Sequence, residues 1–136
     1  MIYRAAQTTE AEAVLALWRE AEATVSLTDR LEDIQSAMVV NSTHFLVAEH
    51  DGQIVGTVIG AFDGWRGNLY RLVVHPDFRR FGVATALVAE VQKRFLQQGV
   101  KRITALVEKD HPDAVSFWRA VGYELDTRIA RYVHNL

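Results

Sequence analysis

One stretch constrains this chain more than any other: Leu72-Val73-Val74-His75-Pro76-Asp77-Phe78-Arg79-Arg80-Phe81-Gly82-Val83-Ala84-Thr85-Ala86-Leu87. It reads as an apolar strand, a tight basic turn, and a helix that opens with small residues. The first turn of a helix carries unpaired backbone N–H groups and a partial positive charge, so it is a natural anion site. Gly82 and Ala84 leave room for a phosphate to reach that backbone, and Arg79 and Arg80 add cationic contacts. Such a turn suits a pyrophosphate better than a metal ion or a nucleic-acid groove. Taken alone, two arginines before a glycine at a helix start also read as a solvated turn.

The rest of the chain sets that segment in a mixed sheet covered by helices. Ile2 to Ala5 is a short strand. Glu10 to Val25 carries Val14, Leu17, Trp18, Ala21 and Val25 at helical spacing. Thr28 or Asp29 can cap a second helix to about Val39, with Leu31, Ile34 and Met38 inward. The period then changes. His44 to His50 and Gln53 to Phe62 are β-type runs joined by Asp51-Gly52, a strong hairpin signal. Asp63-Gly64-Trp65-Arg66-Gly67 is turn-rich, and Asn68 to His75 is a further strand. Gly82 to Gln98 is the clearest helix, with Val83, Leu87, Val88, Val91 and Phe95 on one face and Gly99 at its stop. Lys101 to Glu108 reads as a strand and Asp113 to Val121 as a helix ended by Gly122. Two short strands, Tyr123 to Asp126 and Arg128 to His134, are expected to close the chain. The expected order is βααβββαβαββ, an α+β mixed and mostly antiparallel sheet flanked by about four helices. With no internal repeat and no linker, residues 1–136 are expected to form a single domain.

Composition narrows the function. A formal net charge of −2 argues against a dedicated nucleic-acid binder. The absence of cysteine removes disulfides, thiolate nucleophiles and Cys-based metal sites. The five histidines include no i,i+4 pair and no His-x-His, so no metal site is expected. Met1-Ile2-Tyr3-Arg4 does not open like a signal peptide, and no apolar run nears the ~20 residues that span a bilayer. The expectation is a soluble cytoplasmic protein with no membrane or nucleic-acid partner.

At this point the sequence resembles the GNAT (Gcn5-related N-acetyltransferase) superfamily. That family's Arg/Gln-x-x-Gly-x-Gly/Ala turn is matched by Arg79-Arg80-Phe81-Gly82-Val83-Ala84, after a Val-x-Pro matched by Val74-His75-Pro76. Its later Ala-x-x-Phe-Tyr-x-x-x-Gly-Phe/Tyr signature is matched by Ala114-Val115-Ser116-Phe117-Trp118-Arg119-Ala120-Val121-Gly122-Tyr123. The resemblance spans nearly the whole chain and implies the GNAT acyl-CoA N-acyltransferase fold. It also implies acetyl-CoA as acyl donor and a primary amine as acceptor, attacked directly in a ternary complex.

By that resemblance, backbone amides from Arg79 through Thr85, namely Arg79, Arg80, Phe81, Gly82, Val83, Ala84 and Thr85, hold the CoA pyrophosphate. The pantetheine arm pairs with main-chain groups of Leu72, Val73 and Val74, and the Val74 N–H polarises the thioester carbonyl. His111, where relatives often have asparagine, is a further CoA contact, and Phe117 and Trp118 line the CoA channel. An alkylammonium with a pKa near ~10 must lose a proton before it attacks. The family's usual glutamate position falls near Arg71, which cannot be a base. His75, Glu49, Glu108 and Asp110 are the alternatives, His75 lying beside the acyl site. The usual acid, a tyrosine, is replaced by Trp118, leaving Tyr123, a water or no acid at all.

The acceptor is expected between the first helical pair (Thr28, Asp29, Arg30, Glu32, Asp33) and the last strands (Tyr123, Arg131, Tyr132), with Asp63 and Trp65 bordering it or forming a turn. It is read as a small molecule. A protein N-terminus or lysine is the alternative, and a non-catalytic acyl-CoA binder is the competing class. Small relatives often pair as homodimers, which is the implied assembly.

Overall fold

The computed structural model describes Met1–Leu136. The chain divides into two compact units, Met1–Thr104 and Ala105–Leu136.

The first unit opens with β1 (Ile2–Ala5), a 3₁₀ turn over Thr8–Glu10, and two helices, α1 (Ala11–Glu20) and α2 (Leu31–Met38). There follow β2 (Thr43–His50), β3 (Gln53–Phe62) and β4 (Gly67–Val74). A second 3₁₀ turn (Pro76–Phe78) leads into α3 (Val83–Gln98), and β5 (Ile103–Ala105) lies at the junction of the units. The five strands stand in the sheet in the order β1-β2-β3-β4-β5. The first four are antiparallel neighbours.

The expected hairpin forms at Asp51-Gly52, where both residues take positive φ (48° and 81°). That pair of angles is the type I′ turn that suits the right-handed twist of paired strands. β2 and β3 are buried on both faces, which explains their nearly unbroken apolar runs. Phe45 and Val47 pack with Val14, Leu17, Trp18 and Ile34 from α1 and α2, and the Trp18 and Phe45 rings stack 6.4 Å apart. The other face receives α3 through Val83, Leu87, Val91 and Phe95. That helix sits close because Gly60 lacks a side chain. A Cβ there would lie 2.4 Å from Val91 Cγ2 and 2.9 Å from Phe95 Cζ.

Three expected boundaries move. α1 stops at Glu20, not near Val25, because Glu22 turns left-handed (φ 56°). The N–H groups of Glu22 and Ala23 then donate to the carbonyls of Arg19 and Trp18 (3.1 and 2.9 Å), a Schellman stop built without glycine. Neither Thr28 nor Asp29 caps α2; Arg30 occupies that position with no side-chain bond. β5 is three residues long, shorter than the expected Lys101–Glu108.

The second unit is built on α4 (Pro112–Ala120). His111 caps it, its Nδ1 accepting the Ala114 N–H at 3.3 Å, and Gly122 ends it at φ 94°. The two closing strands expected over Tyr123–Asp126 and Arg128–His134 are not formed. An alternating pattern expresses a preference for a half-buried strand, but a strand also needs a ladder partner. Here the local bonds are those of a turn: the Asp126 carboxylate accepts the Arg128 N–H and its guanidinium, and Leu125, Ile129 and Tyr132 stay exposed.

Candidate active site

β4 carries an irregularity at Arg71. Tyr70 pairs with Ile59 and Val73 with Thr57, so Arg71 and Leu72 together face only Val58. Two residues opposing one is a β-bulge, which bends and twists its strand. Arg71 absorbs it at φ 52°, a left-handed conformation that costs a non-glycine residue about 1–3 kcal/mol.

Surrounding bonds hold that conformation. The buried indole N–H of Trp18 donates to Thr57 Oγ1 at 2.9 Å, and the Thr57 hydroxyl donates to the Arg71 carbonyl at 2.9 Å. The Arg71 guanidinium donates to the Thr24 carbonyl at 2.7 Å and reaches both Asp29 carboxylate oxygens at 2.8 Å. It also lies over the Trp18 ring, 4.9 Å from its centroid.

Beyond the bulge the main chain of β4, half-buried here, alternates in direction. Val74 stands opposite Gly56 and Val73 opposite Thr57, and the His75 N–H donates to the Val55 carbonyl at 2.8 Å. Bonded and non-bonded pairs alternate along an antiparallel ladder. Val73 and His75 therefore commit their main-chain groups to β3, and the N–H and C=O of Val74 point away from it. On that outer side β4 and β5 begin together, with the Gly67 N–H donating to the Arg102 carbonyl at 3.0 Å. β5 is only three residues long, so its ladder stops short of Leu72–Val74.

The chain then turns. Pro76–Phe78 forms one 3₁₀ turn, Arg79 is extended, Arg80 is left-handed (φ 67°), and Gly82 caps α3 at φ 79°. No side chain caps this helix start, and a Cβ on Gly82 would meet nothing within 4 Å. Glycine is thus required here for its backbone angle and not for packing. Arg79, Arg80, Phe81 and Thr85 are exposed, whereas the Val83 side chain is core, leaving only its N–H for a ligand.

His75 sits at the end of β4, its side chain 13% exposed. Its Nδ1 accepts the Asp77 N–H at 3.1 Å, and its Nε2 lies 2.7 Å from Glu20 Oε2. An Nδ1 that accepts leaves the proton on Nε2, which donates to the carboxylate. Glu20, the last residue of α1, was not singled out by sequence, since nothing in its spacing marks it. Glu49 is engaged by Arg4 at 2.9 Å, and Glu108 and Asp110 lie in the turn before α4. Asp63 is a turn residue, its Oδ1 accepting the N–H groups of Trp65 and Arg66 at 2.8 Å each.

The structure therefore brings Leu72, Val73, Val74, His75 and Arg79 through Thr85 into one continuous strand–turn–helix. His111, Phe117, Trp118 and Tyr123 belong to the second unit. There Trp118 meets the rings of Phe117 and Tyr123 edge-on at 5.3 and 4.8 Å. Burial pushes the Tyr123 phenol above its ordinary pKa, so it keeps its proton at neutral pH.

The family model for the acetyltransferase (GNAT) family matches residues 10–123. The chain belongs to the GNAT family. An acetyltransferase of Pectobacterium atrosepticum is 37% identical over 113 residues, covering 83% of this chain and 80% of the relative. One of Yersinia enterocolitica is 34% identical over 129 residues, covering 95% and 92%. Among solved structures, the PaiA N-acetyltransferase of Thermoplasma acidophilum, in complex with coenzyme A, superposes with a TM-score of 0.85. Its identity is 17%, over 92% of this chain and 90% of that one. The aminoglycoside N-acetyltransferase AAC(6′)-Iy, in complex with a bisubstrate analogue, gives 0.82 at 20% identity, over 99% and 98%. The mixed five-stranded sheet with four helices is thus the GNAT fold. As a GNAT member the chain is an N-acetyltransferase that uses acetyl-CoA as acyl donor. The residues present fit that donor: an open glycine, an uncapped helix start and two exposed arginines suit its pyrophosphate. No helix of the chain is long and apolar enough to cross a membrane.

Proposed function

We propose that this GNAT enzyme acetylates a small-molecule primary amine by direct attack, with its donor site along the outer edge of β4 and the start of α3. The observation that carries this reading is the Val74 main chain, which points away from β3 beside an uncapped α3. Acetyl-CoA supplies the thioester carbonyl. The Val74 N–H donates to that carbonyl oxygen as a single-donor oxyanion site. N–H groups of Gly82, Val83, Ala84 and Thr85, with Arg79 and Arg80, bind the pyrophosphate. Leu72 flanks Val74 on the strand and extends the edge against which the pantetheine arm lies.

The acceptor meets the edge from the side of α1. The Glu20 carboxylate is 59% exposed and oriented by the His75 Nε2–H. It receives the acceptor's ammonium and takes its proton, directly or through one water. His75 thus serves as the group that aims the base. The departing thiolate, at a pKa near ~8.5, needs little help from an acid. A small amine is favoured because several structural neighbours, AAC(6′)-Iy among them, are named for aminoglycoside acceptors.

The test is calorimetric and thermal-shift titration with acetyl-CoA, with ATP and NAD as controls. At ~100 times its dissociation constant the donor adds ~2.7 kcal/mol of apparent stability. For a chain of this size that is a melting shift of roughly 5 to 10 °C. A selective shift supports the donor site and justifies an amine screen with a free-thiol readout. No shift rejects the assignment.

A further inference from the structure

The geometry points to Thr57 as a positioning residue of the donor edge, and to Arg71 as the residue that ties that edge to the loop between α1 and α2. The inference rests on the donor-site reading above and extends it to residues that do not touch either substrate.

Thr57 is the buried polar residue in the centre of β3, 0% exposed. A buried hydroxyl must satisfy its hydrogen-bonding capacity within the protein. This one does so in a fixed sense: it accepts from Trp18 Nε1–H and, its acceptor side engaged, donates its own proton to the Arg71 carbonyl. The carbonyl it holds belongs to the left-handed residue of the bulge. Three residues on is Val74, whose main chain faces outward only because the bulge resets the register between Tyr70 and Val73. Loosening the Arg71 carbonyl lets the bulge slide, and a slid bulge turns the Val74 N–H toward β3.

The Arg71 side chain leaves the same residue toward the loop. It donates to the Thr24 carbonyl and to the Asp29 carboxylate, which also accepts the Ser26 N–H at 2.9 Å. Residues 24–29 are thereby fixed as a small knot beyond the turn that ends α1, with Val25 and Leu27 exposed on it. One residue thus governs both sides of the reaction: its carbonyl sets the donor edge and its guanidinium sets the loop next to the proposed base.

The experiment compares Thr57→Val, Thr57→Ser and Trp18→Phe in the full chain. Acetyl-CoA affinity is read by calorimetry, and amide exchange of Val73 and His75 by NMR without ligand. Thr57→Val keeps the volume but loses the donated bond, and is expected to weaken acetyl-CoA about tenfold and speed exchange at Val73 and His75 about tenfold. Thr57→Ser restores both, and Trp18→Phe, which removes the upstream donor together with part of the ring that Phe45 and Arg71 lie against, shifts both in the same direction by a smaller factor. A filler role for Thr57 would lower the melting temperature without changing acetyl-CoA affinity, and that result overturns the proposal. Should Thr57→Val not fold, the Trp18→Phe comparison decides, unchanged affinity and exchange again overturning it. If wild-type protein ignores acetyl-CoA, the donor-site reading fails. The exchange measurement still judges the relay, and equal protection in wild type and Thr57→Val rejects it.

Discussion

His75 Nε2 and Glu20 Oε2 meet at 2.7 Å across 55 residues of sequence. The contact joins the end of β4 to the end of α1, so the carboxylate is carried by one element and aimed by the other. It follows that the two residues differ in what they contribute. Glu20→Gln is expected to lower kcat by roughly 10²- to 10⁴-fold, the usual range for a lost general base. His75→Ala leaves the carboxylate in place and is expected to cost about tenfold or less. Acetyl-CoA affinity changes little in either variant. Steady-state kinetics with an amine found by screening checks both, and a Glu20→Gln enzyme at full speed would move the base elsewhere.

Gly82 offers a second test. Its φ of 79° disfavours any side chain, yet the space around its Cβ is open. Gly82→Val should therefore cost about 1–3 kcal/mol of stability from backbone strain and still fold. Acetyl-CoA binding should fall below detection, because the β-branched side chain would occupy the approach to the α3 amides. Calorimetry beside a melting curve separates the two effects, and unchanged affinity would remove the pyrophosphate assignment.

A third expectation concerns acid. The Arg4 guanidinium, bonded at 2.7–2.8 Å, holds the Glu10 carboxyl below the usual carboxylate range, aided by the Gln7 N–H and opposed by partial desolvation. A pKa lower in the folded state means that the unfolded chain takes up this proton first as pH falls. The stabilisation is complete above the unfolded value, near ~4.3, and is lost as pH drops through the folded one. Glu10→Gln is expected to be less stable than wild type by about 1–2 kcal/mol at neutral pH. Chemical denaturation from about pH 7 to about pH 3 should show that gap closing on the acid side. A gap constant with pH would mean that Arg4 gains nothing from the charge.

Much of the fold was readable because local and global preferences agree. Gln53–Phe62 lies where its β-rich run and the Asp51-Gly52 turn put it, and α3 runs over Val83–Gln98, between Gly82 and Gly99, as its apolar stripe and glycine stop required. The misses have a common cause: they depend on partners distant in sequence or on unusual choices of residue. Glu22 ends a helix where glycine is the usual signal, and the closing segment alternates like a strand but has no ladder beside it. The turn proposed for the donor stands out in the sequence because the chemistry asked of it is main-chain chemistry, which a glycine and two arginines announce. Glu20 and Thr57 do not. A glutamate at a helix end and a threonine in a β run are ordinary in those places. Only the contacts to His75, Trp18 and Arg71 distinguish them.

The tight turn at Asp51-Gly52 reaches further than its place on the surface implies. From His50 opposite Gln53, the pairing passes one extra residue, Val55, and arrives at Val47 opposite Thr57. Side chains alternate faces along a strand, so sliding this hairpin by one step would aim the Thr57 hydroxyl at α3 and a valine at Trp18. A single inserted residue in an exposed loop that slid the register would then misplace the proposed donor edge while leaving every residue of that edge unchanged.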